Sequence, residues 1–64
     1  MNLIQQTLSY CGYDLTPTES NLTECFLDYV AAGVFADLTH DEASDMIEEG
    51  GITINDMCRA LLKL

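Results

Sequence analysis

Three segments of this chain open on a threonine with a carboxylate three residues later: Thr16 with Glu19, Thr39 with Glu42, and Thr53 with Asp56. In that spacing the threonine hydroxyl accepts a hydrogen bond from the third backbone N–H of a helix, and the acid accepts one from the threonine's own N–H. Each pair predicts a helix start. With Thr16 as cap, Pro17 falls on the first helical position, where its missing N–H costs nothing. Glycines close the segments at Gly12, Gly33 and Gly50-Gly51, the residue type that a sharply ending helix favours. Between these marks there is room for helices of roughly ten to sixteen residues, and no strand pattern of comparable length competes.

The apolar residues repeat with the same period. Asn2 is placed to cap a first helix with Ile4, Leu8 and Cys11 on one face and Leu3 and Tyr10 beside them. In the second, Leu22, Cys25, Phe26, Tyr29 and Val30 recur every three or four residues while Glu24 and Asp28 project from the other side. The third turns Ala43, Met46 and Ile47 inward. The fourth carries Ile54, Met57, Cys58, Leu61 and Leu62 on one stripe, with Arg59 and Lys63 outside, near the end where the helix dipole favours cations. Val34-Phe35-Ala36 is expected to plug the core between the second and third helices. Helices this short are marginal alone, so they must dock on one another. The expected fold is all-α, a compact single-domain bundle of three to four short helices spanning residues 1–64.

Composition narrows the function. The apolar fraction is 48% with 20% charged residues, enough for a core but, in 64 residues, too little for a deep walled pocket as well. Eleven acids against Arg59 and Lys63 leave a formal net charge of -9, which repels nucleic-acid backbones and anionic membranes alike. Direct binding to either is not expected. The opening Met-Asn-Leu-Ile-Gln-Gln has no basic leader pattern, and no apolar run is long enough to span a bilayer. Cys11, Cys25 and Cys58 are odd in number, widely spaced and without a C-x-x-C pattern, so no disulfide framework is implied and a reducing cytosol is expected.

The charge is concentrated. Asp37, Asp41, Glu42, Asp45, Glu48 and Glu49 fall within thirteen residues with no Lys or Arg among them. On a helix, Asp41, Asp45 and Glu48 share the face turned away from Ala43, Met46 and Ile47, and Glu42 and Glu49 flank it. Like charges at i,i+4 cost a few tenths of a kcal/mol per pair, and Glu24 with Asp28 repeats the arrangement. The helix dipole rewards Asp41 and Glu42 at the N-terminal end, but it disfavours Glu48 and Glu49 at the other. A solvated face accounts for the first two acids and leaves the last three in need of another reason. Carboxylates on successive turns stand about 5–6 Å apart, a spacing close to that of phosphates along a strand. Such a ridge suits a groove lined with Arg and Lys.

Other chemistries find less support. An EF-hand count over Asp37, Thr39, Asp41, Asp45 and Glu48 puts Glu42 where the loop needs glycine. The three cysteines lie on apolar stripes, where a free thiol packs as a small hydrophobe, and local spacing does not gather them with His40 into a zinc site. No phosphate loop, nucleophile elbow or H-E-x-x-H is present, so no catalysis, metal or cofactor is expected. The last two helices have the outline of a helix-turn-helix, but their charge opposes duplex binding. Leu27, Tyr13 and Phe35 are the candidates for apolar contact with a partner.

A short, strongly acidic helical chain with this ridge resembles the small phage-encoded anti-CRISPR proteins and other DNA mimics. The resemblance is to a class and rests on Asp37, Asp41, Glu42, Asp45, Glu48 and Glu49, with Glu24 and Asp28 as an extension. It implies a stoichiometric inhibitor, not an enzyme, acting in the cytoplasm of a bacterial host. The implied partner is a basic nucleic-acid-binding protein such as a CRISPR effector subunit, for example the subunit of a type I surveillance complex that reads the protospacer-adjacent motif. The rival expectation is an acidic helical adaptor or regulatory subunit that docks through apolar contacts.

Overall fold

Four side-chain oxygens start the four helices of the computed structural model, which describes residues 2–64. Asn2 accepts from the Gln5 N–H at 2.7 Å and opens α1 (Leu3–Tyr10). Thr18 accepts from Asn21 at 3.1 Å and opens α2 (Glu19–Ala31). Thr39 accepts from Glu42 at 3.2 Å to open α3 (His40–Glu48), and Thr53 from Asp56 at 3.2 Å to open α4 (Ile54–Leu62). The bundle is all-α with four helices, and no strand occurs among the described residues.

Two of the expected starts differ in detail. The cap of α2 is Thr18 and not Thr16, so the Thr16/Glu19 box does not form. Both threonines offer a hydroxyl; starting at Thr18 also lets the Asn21 side-chain amide donate to the Thr16 carbonyl, which secures the approach to the helix. At α3 the Glu42 carboxylate accepts from the Thr39 hydroxyl at 3.1 Å. At α4 the reciprocal box is complete, with the Thr53 N–H donating to Asp56 at 3.1 Å.

The first three helices end alike. At the end of α3 the Gly51 N–H donates to the Met46 carbonyl at 2.7 Å and the Gly50 N–H to Ile47 at 3.2 Å, a Schellman closure. Gly50 takes φ +76° to make it, a conformation that costs an L side chain on the order of 1–2 kcal/mol. The same pair of bonds closes α1 at Gly12 and α2 at Gly33.

α2 is the centre, in contact with each of the other helices. It buries Leu22, Cys25, Phe26 and Val30, as its periodicity predicts, with Tyr29 half-buried. α4 packs on α1 and α2 and buries Met57, Cys58 and Leu61; α1 adds Leu8. Thr7, fully buried, satisfies its hydroxyl on the Leu3 carbonyl at 2.7 Å. Phe35 of the α2–α3 connection stacks on Phe26 with centroids 5.4 Å apart, while Val34 and Ala36 face solvent.

α3 touches α2 alone. Of its expected inward residues only Ala43 is buried; Ile47 is half-buried and Met46 lies 37% exposed. A helix seated against one neighbour has a narrow contact strip, which a single small side chain fills. No helix among the described residues is long and apolar enough to cross a membrane.

Candidate acidic interface

The α3 ridge is built by helical geometry and by the absence of neighbours. At about 100° per residue, Asp41, Asp45 and Glu48 fall opposite Ala43, which α2 covers, and Glu42 and the C-cap Glu49 fall on one flank. All five are exposed, as is Asp37 in the preceding loop. No cation among the described residues pairs with them. The one ion pair among the described residues joins Arg59 to Asp56 at 2.6 Å on α4, a helix that does not reach α3, and Lys63 caps the far end of α4.

The charge density of this face can be compared with that of a nucleic-acid strand. The nine residues 41–49 occupy about 13.5 Å of helix axis, so five carboxylates give about one charge per 2.7 Å. Duplex DNA carries about one per 1.7 Å of axis and a single strand about one per 3.4 Å. The ridge lies between the two. Holding Glu48 and Glu49 at the negative end of the dipole costs about 0.3–1 kcal/mol each at exposed positions. The capping bonds at Thr39, the Schellman closure, Ala43 and Ile47 offset that cost locally.

Glu24 and Asp28 are exposed but stand elsewhere. On α2 they lie on the flank of Cys25, and their charges help push the Cys25 thiol up. Asp28 also acts on Tyr13, in the α1–α2 loop. Phe26, which meets the α2–α3 connection, is on the opposite flank. The α2 acids therefore lie on the flank of α2 that faces away from Phe26, toward the α1–α2 junction.

All three residues expected to offer apolar contact are engaged by the fold itself. Tyr13 is half-buried against Tyr29 with ring centroids 6.0 Å apart, and Phe35 is held by Phe26. Leu27 is half-buried against the core. The large apolar side chains that do reach solvent are Leu3, Tyr10, Leu15, Val34, Met46 and Leu64, which belong to different elements and loops. His40, the first residue of α3, is exposed, whereas Cys25 and Cys58 are buried in α2 and α4; no metal-ligating set of three converges among the described residues.

A contact that the sequence does not announce lies at the α1–α2 junction. The Tyr29 hydroxyl donates to the Cys11 carbonyl at 3.1 Å, eighteen residues away. Its link to Cys11, then its burial, raise the Tyr29 phenol above the usual tyrosine range. Burial also raises Tyr13. The chain matches no family model, no curated protein and no solved structure.

Proposed function

We propose that this protein is a stoichiometric inhibitor that presents α3 to a cationic nucleic-acid-binding groove and competes there with the phosphate backbone. One observation carries the proposal: five exposed carboxylates along a short helix and its C-cap with no cation partner among the described residues, at a linear charge density between that of single- and double-stranded DNA. The partner is a basic protein, and a CRISPR effector subunit that reads duplex DNA is the one proposed, by the resemblance to anti-CRISPR proteins. Arg and Lys side chains of such a groove would pair with Asp41, Asp45 and Glu48 as they pair with phosphates, with Glu42 and Glu49 at the rim. Asp37 leads into the ridge from the loop. Glu24 and Asp28, on α2, are outside the contact.

The test is displacement of a DNA duplex from a purified type I surveillance complex. The parent protein should displace it in a one-to-one titration, with apparent affinity falling at least about tenfold between 50 and 200 mM salt, as expected for several phosphate-like contacts. Asp41→Lys/Asp45→Lys/Glu48→Lys should keep the helical circular-dichroism spectrum and lose displacement altogether. Displacement that survives the triple reversal sinks the ridge as the site. Binding that ignores salt moves the interface to apolar side chains and favours the adaptor.

A further inference from the structure

We infer that two copies of this chain associate about a twofold axis through the outer face of α1. Of the four helices only α1 carries no charged side chain, and Asn2 through Tyr13 form the longest stretch of residues 2–64 without Asp, Glu, Lys, Arg or His. A net charge of -9 holds copies of a chain apart over most of the surface. The uncharged face is where they can touch. Leu3, Gln6 and Tyr10 fall within about 60° of one another around α1, and all three are exposed, Leu3 by 41% and Tyr10 by 58%. Gln5 and Ser9, also exposed, extend the face beyond Gln6. Thr7 and Leu8 bury the other side of the helix.

The chemistry of this face selects a second copy as its occupant. Amide and hydroxyl side chains each donate and accept hydrogen bonds, so Gln5, Gln6 and Ser9 complement themselves when α1 is laid antiparallel on its copy. A face of like charges would repel itself instead. In that arrangement Leu3 of each copy meets Tyr10 of the other, an isologous contact. The exposed Leu15, Met46 and Leu64 each follow a charged residue in the chain: Asp14, Asp45 and Lys63. α1 rests on α2 and α4 and does not touch α3, so the contact makes no use of the ridge and holds whether or not that ridge enters a cationic groove. A helix of eight residues is about 12 Å long. The pair therefore covers less than the roughly 1,200 Å² of a standard interface, and the dimer is weak.

Sedimentation equilibrium of the full chain tests the inference. The weight-average mass should rise from 7.1 kDa toward twice that value between about 10 µM and 1 mM. Raising salt from about 50 to 500 mM should strengthen association at least about threefold, because it screens the repulsion between copies. Binding through the ridge responds to salt in the opposite sense, so the two contacts are told apart. Amide resonances that shift with concentration should belong to α1 and its flanks. Tyr10→Glu should keep the helical spectrum and weaken association at least about tenfold, since it sets like charges into the contact. Val34→Glu adds the same charge at an exposed position on the α2–α3 connection and should weaken it less than about threefold. A parent that stays at 7.1 kDa at about 1 mM in high salt, association that weakens with salt, shifts confined to another helix, or a Tyr10→Glu chain that associates as the parent does each overturns the inference. The parent's mass and shift map decide the matter even if Tyr10→Glu folds poorly.

Discussion

α3 and α4 are both nine residues long, both begin on a threonine with an acid three residues on, and are used in opposite ways. α4 is wedged between α1 and α2, buries Met57, Cys58 and Leu61, and holds both cations of the chain. α3 leans on α2 through Ala43 and turns a wall of carboxylates to solvent. Identical start signals thus say where a helix begins and nothing of how deeply it is used. Depth follows from the inward side chains: three sizeable ones anchor α4 to two neighbours, while one buried methyl group and the half-buried Ile47 seat α3 against one.

The contrast breaks first under truncation. Leu61→Ala should destabilise the domain by about 2–5 kcal/mol, a large part of what so small a chain has to lose, whereas Met46→Ala should cost less than about 0.5 kcal/mol; urea titration followed by circular dichroism measures both. Next come the two glycines after α3. Gly50→Ala places a side chain at φ +76° and should cost about 1–2 kcal/mol, although nothing lies within 4 Å of the new Cβ. At Gly51 the backbone is ordinary and the nearest atom is the Met46 carbonyl oxygen at 3.5 Å, so Gly51→Ala should fall within about 0.5 kcal/mol of the parent.

Caps sharpen the comparison further. Thr39→Ala and Thr53→Ala should each cost about 1 kcal/mol of helix stability, but with different reach. In hydrogen exchange, loss of Thr39 should speed exchange in α3 alone, because that helix can open without disturbing the rest, while loss of Thr53 should be felt in α1 and α2 as well. The smallest effect is acid-dependent. Hydrogen bonds from the Thr53 backbone and hydroxyl, with Arg59 beside them, hold the Asp56 carboxyl below its ordinary value of 3.8. A carboxyl lowered on folding contributes its stability in full above the unfolded value and loses it as pH falls through the folded one. The difference in melting temperature between the parent and Asp56→Asn should therefore be constant near neutrality and shrink only below about pH 3.8.

Much of the fold was legible because its cues are local. Caps at Asn2, Thr39 and Thr53, the stops at Gly12, Gly33 and Gly50, and the stripes of α2 and α4 all follow from spacings of three and four residues. The start of α2 slipped by two residues where Thr16 and Thr18 offer equivalent hydroxyls, and the choice was made by the Asn21 side chain. What the pattern could not supply was tertiary. Met46 sits at an inward spacing and is exposed because α3 has one neighbour, Tyr13 is claimed by Tyr29, and the link from Tyr29 to Cys11 spans eighteen residues. On α3, helical phase alone fixes which carboxylates share a face. On α2, phase puts Glu24 and Asp28 on the flank of Cys25, but how that flank stands to α3 is set by packing, which local spacing does not encode.

Six of the nine positions of α3 are exposed, and one is buried. Mutation can therefore rewrite most of this helix without passing through an unfolded intermediate, provided that Ala43 and the two ends are kept. The rigid part of the molecule and its replaceable wall are thus separate heritable units, the one fixed by packing and the other by whatever it meets.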